Sequence, residues 1–141
     1  MDKNTGVKNF PTFADLKQCY IAGDSAGENI AHHVAVRACD YQFNNLELIG
    51  LIAIQPFFGS EERTESEMKL TETPFISVQG TDRSWRAFLP EGSDRDHPAA
   101  NVFGPRSANI STLKFPATIW VIGGLDPLYD WQIRYSDGLI K

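Results

Sequence analysis

The sequence predicts an α/β protein: a mostly parallel β-sheet between helices, in three layers. Three observations predict it. Short apolar runs at residues 19–22, 46–55 and 117–122 alternate with helix-like stretches. The runs are rich in Ile, Leu and Ala, the pattern of strands covered on both faces. A Gly23-x-Ser25-x-Gly27 turn joins the first run to the first helical stretch with no loop between them.

Residues 10–15 read as an approach loop and 19–22 as a buried strand. Residues 29–38 form a helix whose Ile30, Ala31, Val34, Ala35 and Ala38 share one face. Residues 46–55 are a second buried strand, ended by Pro56. The charged stretch 61–69 reads as a solvated turn or short helix. Residues 82–88 can be helical, with Trp85 and Phe88 three apart. Residues 90–116 hold four of the eight prolines and read mostly as loop. A third strand at 117–122 stops at Gly123-Gly124. Residues 130–141 place Trp131, Tyr135 and Leu139 at four-residue spacing, an amphipathic helix. There are no repeats and no low-complexity tracts. Helices are expected on both faces of the sheet, in a single domain over residues 1–141.

Composition excludes several functions. With 141 residues, 42% hydrophobic and 22% charged, the chain is at most one ordinary globular domain. A net charge of −5 without a basic cluster argues against nucleic acid or an anionic membrane as partner. The apolar stretch 48–54 is too short for a membrane span. Cys19 and Cys39 lack metal-ligand spacing and are expected as buried, reduced thiols, with no metal and no cofactor. A polar amino terminus without a signal-peptide core makes a cytoplasmic or nuclear location the expectation.

The chemistry concentrates at Gly23-Asp24-Ser25-Ala26-Gly27. Placed between strand and helix, the turn holds Ser25 in a strained conformation with Oγ exposed, the setting of a serine nucleophile. Gly23 and Gly27 remove side chains that would collide. The Ala26 N–H, at the helix start, is placed to bind an oxyanion. The competing interpretation is a capping box, in which Ser25 and Glu28 satisfy each other's backbone donors. Asp126, after the third strand, falls on the same sheet edge and has the chain order of a triad acid. It competes with a simple helix cap at Asp126 or Asp130. No histidine follows Asp126. His32 and His33 ride the helix leading away from Ser25, about 10 Å along its axis. His97 lies in a Pro-rich loop, where a solvated or structural role is expected.

These residues resemble a plant carboxylesterase of the α/β-hydrolase fold-3 group, related to hormone-sensitive lipase and the gibberellin receptor. The matching stretches are Gly23-Asp24-Ser25-Ala26-Gly27 with residues 29–38, then Gln55-Pro56-Phe57-Phe58-Gly59 and residues 62–67. Residues 85–92, His97-Pro98, Asn101, Phe103-Gly104-Pro105 and Gly124-Leu125-Asp126-Pro127-Leu128 continue it.

The resemblance implies a partial α/β-hydrolase fold, with Ser25 as nucleophile, Asp126 as the acid that orients a histidine, and Ala26 as oxyanion donor. It implies hydrolysis of a small carboxylic ester through an acyl-serine in the complete relative. The family's His-Gly-Gly donors would precede Met1 and its histidine would follow Lys141, so no activity is expected of the chain as written. Glu28 stands where the family usually has glycine. Two rivals share the scaffold: a non-catalytic hormone-binding protein of the gibberellin-receptor type, holding a small hydrophobic ligand, and a truncated product without function.

Overall fold

Seven elements follow one another in a computed structural model that describes residues 11–41 and 43–140. They are β1 (Cys19–Asp24), α1 (Ala26–Cys39), β2 (Leu48–Ile54), α2 (Glu65–Lys69), α3 (Val78–Phe88), β3 (Ala117–Val121) and α4 (Tyr129–Ile140). Residue 10 and Lys141, in the expected approach loop and last helix, lie outside the described residues. The three strands pair in parallel in the order β1-β2-β3. Asp24 pairs with Ile54, and Ile54 with Val121, so the strands finish level along one edge. That shared edge brings together residues about a hundred positions apart in sequence.

Packing on one face follows from this register. Leu51 and Ala53 of β2 are buried with Ala31 of α1, Phe58, Val102 and Tyr135 of α4, and Ile21, Trp120 and Leu139 pack against them. A satellite cluster joins Trp85, Leu89 and Ala100 with Phe57, whose ring lies 4.9 Å from that of Trp85. Trp85 is therefore the core-facing residue of α3, while Phe88 stays exposed.

The opposite face differs from the expectation of helices on both sides. Tyr20 and Ile119 are 63% and 66% exposed, and Val121 and Ala22 also meet solvent. Among the described residues nothing covers them.

Three other expectations are corrected. On α1 the buried residues are Glu28, Asn29, Ala31, His32 and Ala35, whereas Ile30 and Val34 face outward. The helix is rotated by its junction with β1, whose backbone contact outranks the count of apolar side chains. The short helix forms, but Thr64, Ser66 and Glu67 are buried rather than solvated, and Thr64 and Glu67 form a complete capping box at α2. Their polar atoms find partners within α2 and in residues 127–131, so burial costs little. Cys19 and Cys39 are half-buried, with sulfurs 3.4 Å from the Leu16 and Lys114 carbonyls. No helix among the described residues is long and apolar enough to cross a membrane.

An apolar sheet face open to water invites self-association. The concentrated 141-residue chain should sediment as oligomers and bind a hydrophobic dye. Ile119→Lys should reduce both, while changing stability by less than about 0.5 kcal/mol. A monodisperse wild-type chain at high concentration would contradict this.

Candidate functional site

Ser25 is fixed from two sides. Its N–H donates to the Ile54 carbonyl at 2.9 Å, extending the β1–β2 ladder by one residue. Its carbonyl accepts from the N–H groups of Glu28 and Asn29 at 3.0 and 3.2 Å, which starts α1. Strand and helix thus meet with no slack, and Ser25 takes φ 55°, ψ −119°. A non-glycine residue in that region costs about 1–3 kcal/mol and persists only where its surroundings impose it. The Ser25 side chain makes no capping hydrogen bond, so the capping-box alternative does not form. Its Oγ has no partner among the described residues. The Ala26 N–H opens the first turn of a 14-residue helix, where donors are unpaired and the dipole favours negative charge.

The flanking residues contribute unequally. A Cβ on Gly23 would lie 2.3 Å from the Gly27 carbonyl oxygen and 2.4 Å from Glu28 Cα, so only glycine lets β1 and α1 approach this closely. At Gly27 a Cβ would meet nothing within 4 Å among the described residues, contrary to the collision expected there. Asp24 is exposed at the end of β1 and carries no hydrogen bond to the turn among the described residues. Asn29, which the sequence reading passed over, ties α1 down instead. Its amide donates to the carbonyls of Phe57 and Ala99, at 3.1 and 2.8 Å.

Asp126 lies beyond β3 on the same edge as Ser25, with both carboxylate oxygens in use. Oδ1 accepts from Leu128 N–H at 2.8 Å, within the turn that leads into α4. Oδ2 accepts from Gln132 Nε2 at 2.8 Å, and Gln132 Oε1 accepts from Gly123 N–H. Buried Gln132 therefore locks the turn that presents Asp126. Below it, Ser66 N–H donates to Asp130 Oδ2, Ser66 Oγ to the Pro127 carbonyl, and Trp131 Nε1 to Glu67 Oε2 at 2.9 Å. Arg63 bonds Glu67 and Asp82 in turn.

Between Ser25 and Asp126 stands Gln55, the other non-glycine residue with positive φ, at 44°. A Cβ on Gly123 would lie 2.7 Å from Gln55 Nε2 and 3.3 Å from Asp126 Cβ, so these side chains converge over Gly123. Backbone strain of this kind clusters at functional sites. The Gln55-Pro56 pair marked the end of a strand in sequence but carried no sign of the strain.

The three histidines are occupied elsewhere. His32 is buried, with Nδ1 3.0 Å from the Tyr135 hydroxyl. Burial, then the neighbouring His33, hold its pKa down at about 3. His33 Nε2 lies 3.4 Å from the Ala99 carbonyl, and its pKa is lowered, first by burial. His97 Nδ1 accepts from Ala99 N–H at 3.1 Å, the structural role expected of it. None hydrogen-bonds to Ser25. The described residues include no group of three or more His, Cys, Asp or Glu side chains able to hold a metal.

A family model described as alpha/beta hydrolase fold matches residues 7–141. The chain belongs to this family. It is 49% identical over 122 residues to gibberellin receptor GID1C of Arabidopsis thaliana, covering 86% of this chain and 35% of that protein. Probable carboxylesterase 9 of the same plant is 38% identical over 104 residues, covering 74% of this chain and 32% of the relative. Among solved structures, esterase LipW from Mycobacterium marinum is 26% identical with a TM-score of 0.68, covering 86% of this chain and 36% of its own. The chain is thus related both to catalytic esterases and to hormone receptors that share this fold. It spans about a third of the length of the curated relatives it matches.

The glycines offer a direct check on the junction. Gly23→Ala drives a methyl into backbone and should lower stability by about 3 kcal/mol in urea denaturation. Gly27→Ala, in open helical space, should be neutral or stabilise by up to about 1 kcal/mol. Equal effects of the two would contradict the assigned geometry.

Proposed function

We propose that this chain supplies the ligand-holding edge of a protein that binds a small hydrophobic ligand through a carboxylate, a reading supported by its likeness to proteins named gibberellin receptors, and does not turn over an ester. The observation that carries the proposal is the margin by which the chain resembles those receptors more than the plant carboxylesterases. The geometry supports it. The Ser25 hydroxyl and the Ala26 N–H are neighbouring donors at a helix start, which suit a carboxylate oxygen as well as an oxyanion. Gln55, on the neighbouring strand end, adds an exposed amide over Gly123. Asp126, engaged by Leu128 and Gln132, acts here as a brace for the turn.

The rival is a serine carboxylesterase acting through an acyl-serine, with Ser25 as nucleophile, Ala26 N–H as oxyanion donor and Asp126 orienting a histidine. The strained φ of Ser25 and the shared edge with Asp126 favour it, because that strain exposes a nucleophile in esterases. Ser25 Oγ would need a general base to react near neutral pH, and among the described residues none bonds to it.

Ligand binding by the 141-residue chain separates these readings, since without a general base neither gives the chain turnover. Release of nitrophenol from nitrophenyl acetate should be no faster than with Ser25→Ala. A gibberellin should shift the backbone amide resonances of Ala26 and Gly27, and its neutral methyl ester should not. Ser25→Ala should weaken that binding by about 10- to 100-fold, the loss of one hydrogen bond to a charged group. Serine-dependent turnover would overturn the proposal in favour of the esterase.

A further inference from the structure

We infer that the Glu28 carboxyl, the Tyr135 hydroxyl and the His32 ring form a buried proton-holding cluster that couples the seating of α4 on α1, and with it the Ser25 elbow, to pH. Glu28 and His32 are one turn apart on α1 and turn the same face toward α4. Glu28 is 0% exposed, and neither carboxyl oxygen has a hydrogen-bond partner among the described residues. The Tyr135 hydroxyl neighbours it and lies 3.0 Å from His32 Nδ1.

The surroundings offer a carboxylate little else. Ala31, Ala53, Phe58 and Leu51 line this part of the core, and Gly23 contributes only backbone. Tyr135 from α4 and His32 from α1 are the ionisable groups at the cluster, while His33 turns away toward Ala99 and His97.

A buried carboxylate needs several donors, and here the one hydroxyl is already engaged. A protonated Glu28 carries no charge and so asks far less of this apolar site. The neutral form is therefore the one that fits. Burial raises the Glu28 pKa to about 7, with Tyr135 lowering it slightly, and it raises that of Tyr135 as well. The elbow is coupled because the Glu28 N–H holds the Ser25 carbonyl and the Glu28 backbone is the surface on which Gly23 packs.

The linkage has two opposing parts. Glu28 binds its proton more tightly folded than unfolded, so its contribution is complete below about pH 4.5 and is lost as pH rises through about 7. His32 has the opposite sign. Its folded pKa of about 3 lies below 6.5, so stability falls as pH drops below 6.5. His33, also lowered, adds to that side. The contributions oppose one another between about pH 4.5 and 6.5, so the readout is a ratio between variants.

The test is urea denaturation of the 141-residue chain from pH 4.5 to 8.5, wild type against Glu28→Gln. The folding constant of Glu28→Gln relative to wild type should rise on the order of 100-fold across that range. Carboxyl carbon resonances of wild type should show Glu28 titrating near neutrality, with the Ser25 and Ala26 amides following the same curve. Tyr135→Phe should move that titration to higher pH. A ratio independent of pH, a Glu28 that titrates near 4.5, or elbow amides that ignore its titration would each overturn the inference.

Discussion

Close approach of two backbones at Gly23 is the constraint on which the rest of the structure depends. Because no side chain separates β1 from the first turn of α1, the chain passes from strand to helix through one residue. That residue, Ser25, absorbs the change of direction as backbone strain, with its amide in the sheet and its carbonyl in the helix. The same contact sets the rotation of α1 about its axis. It sends Ile30 and Val34 outward and Glu28 and His32 into the core. An exposed hydroxyl, a helix-start N–H and a buried carboxyl are thus three consequences of one steric fact.

The remainder of the site is assembled from polar contacts that span the chain. Asp126 is held by Gln132, Gln132 by the Gly123 backbone, and α4 by Ser66 and Glu67 of α2. Asn29 closes the arrangement by fastening α1 to the carbonyls of Phe57 and Ala99. Satisfied buried networks of this kind specify one geometry at the cost of tolerance to substitution. Among the described residues, this network leaves out Glu28, a buried carboxyl without a partner, and Trp120 Nε1.

Much of this was legible in the sequence. The three strands, the helices after Ser25 and Asp126, and the common edge all follow from strand–helix alternation and a glycine-flanked serine. What was hidden has a physical pattern. The face of α1 was misjudged because periodicity counts apolar residues, while its rotation is set by a backbone contact three residues before the helix begins. Ser66 and Glu67 read as solvated because their partners, Pro127, Asp130 and Trp131, lie about sixty residues away. Gln55 gave no sign of its positive φ, since the strain comes from its neighbours and not from its own chemistry. The open sheet face was unreadable for the opposite reason: its strands carry the composition of strands covered on both sides.

Strain at Ser25, imposed by the strand–helix junction and retained for the exposed hydroxyl, is the central claim. Substituting glycine tests it most directly, because glycine adopts positive φ without penalty. Ser25→Gly should raise unfolding stability in urea by about 1–2 kcal/mol. Ser25→Ala, which keeps the strain and loses no capping bond, should change it by less than about 0.5 kcal/mol. A Ser25→Gly chain no more stable than wild type, or destabilised as at an ordinary helix cap, would contradict the account.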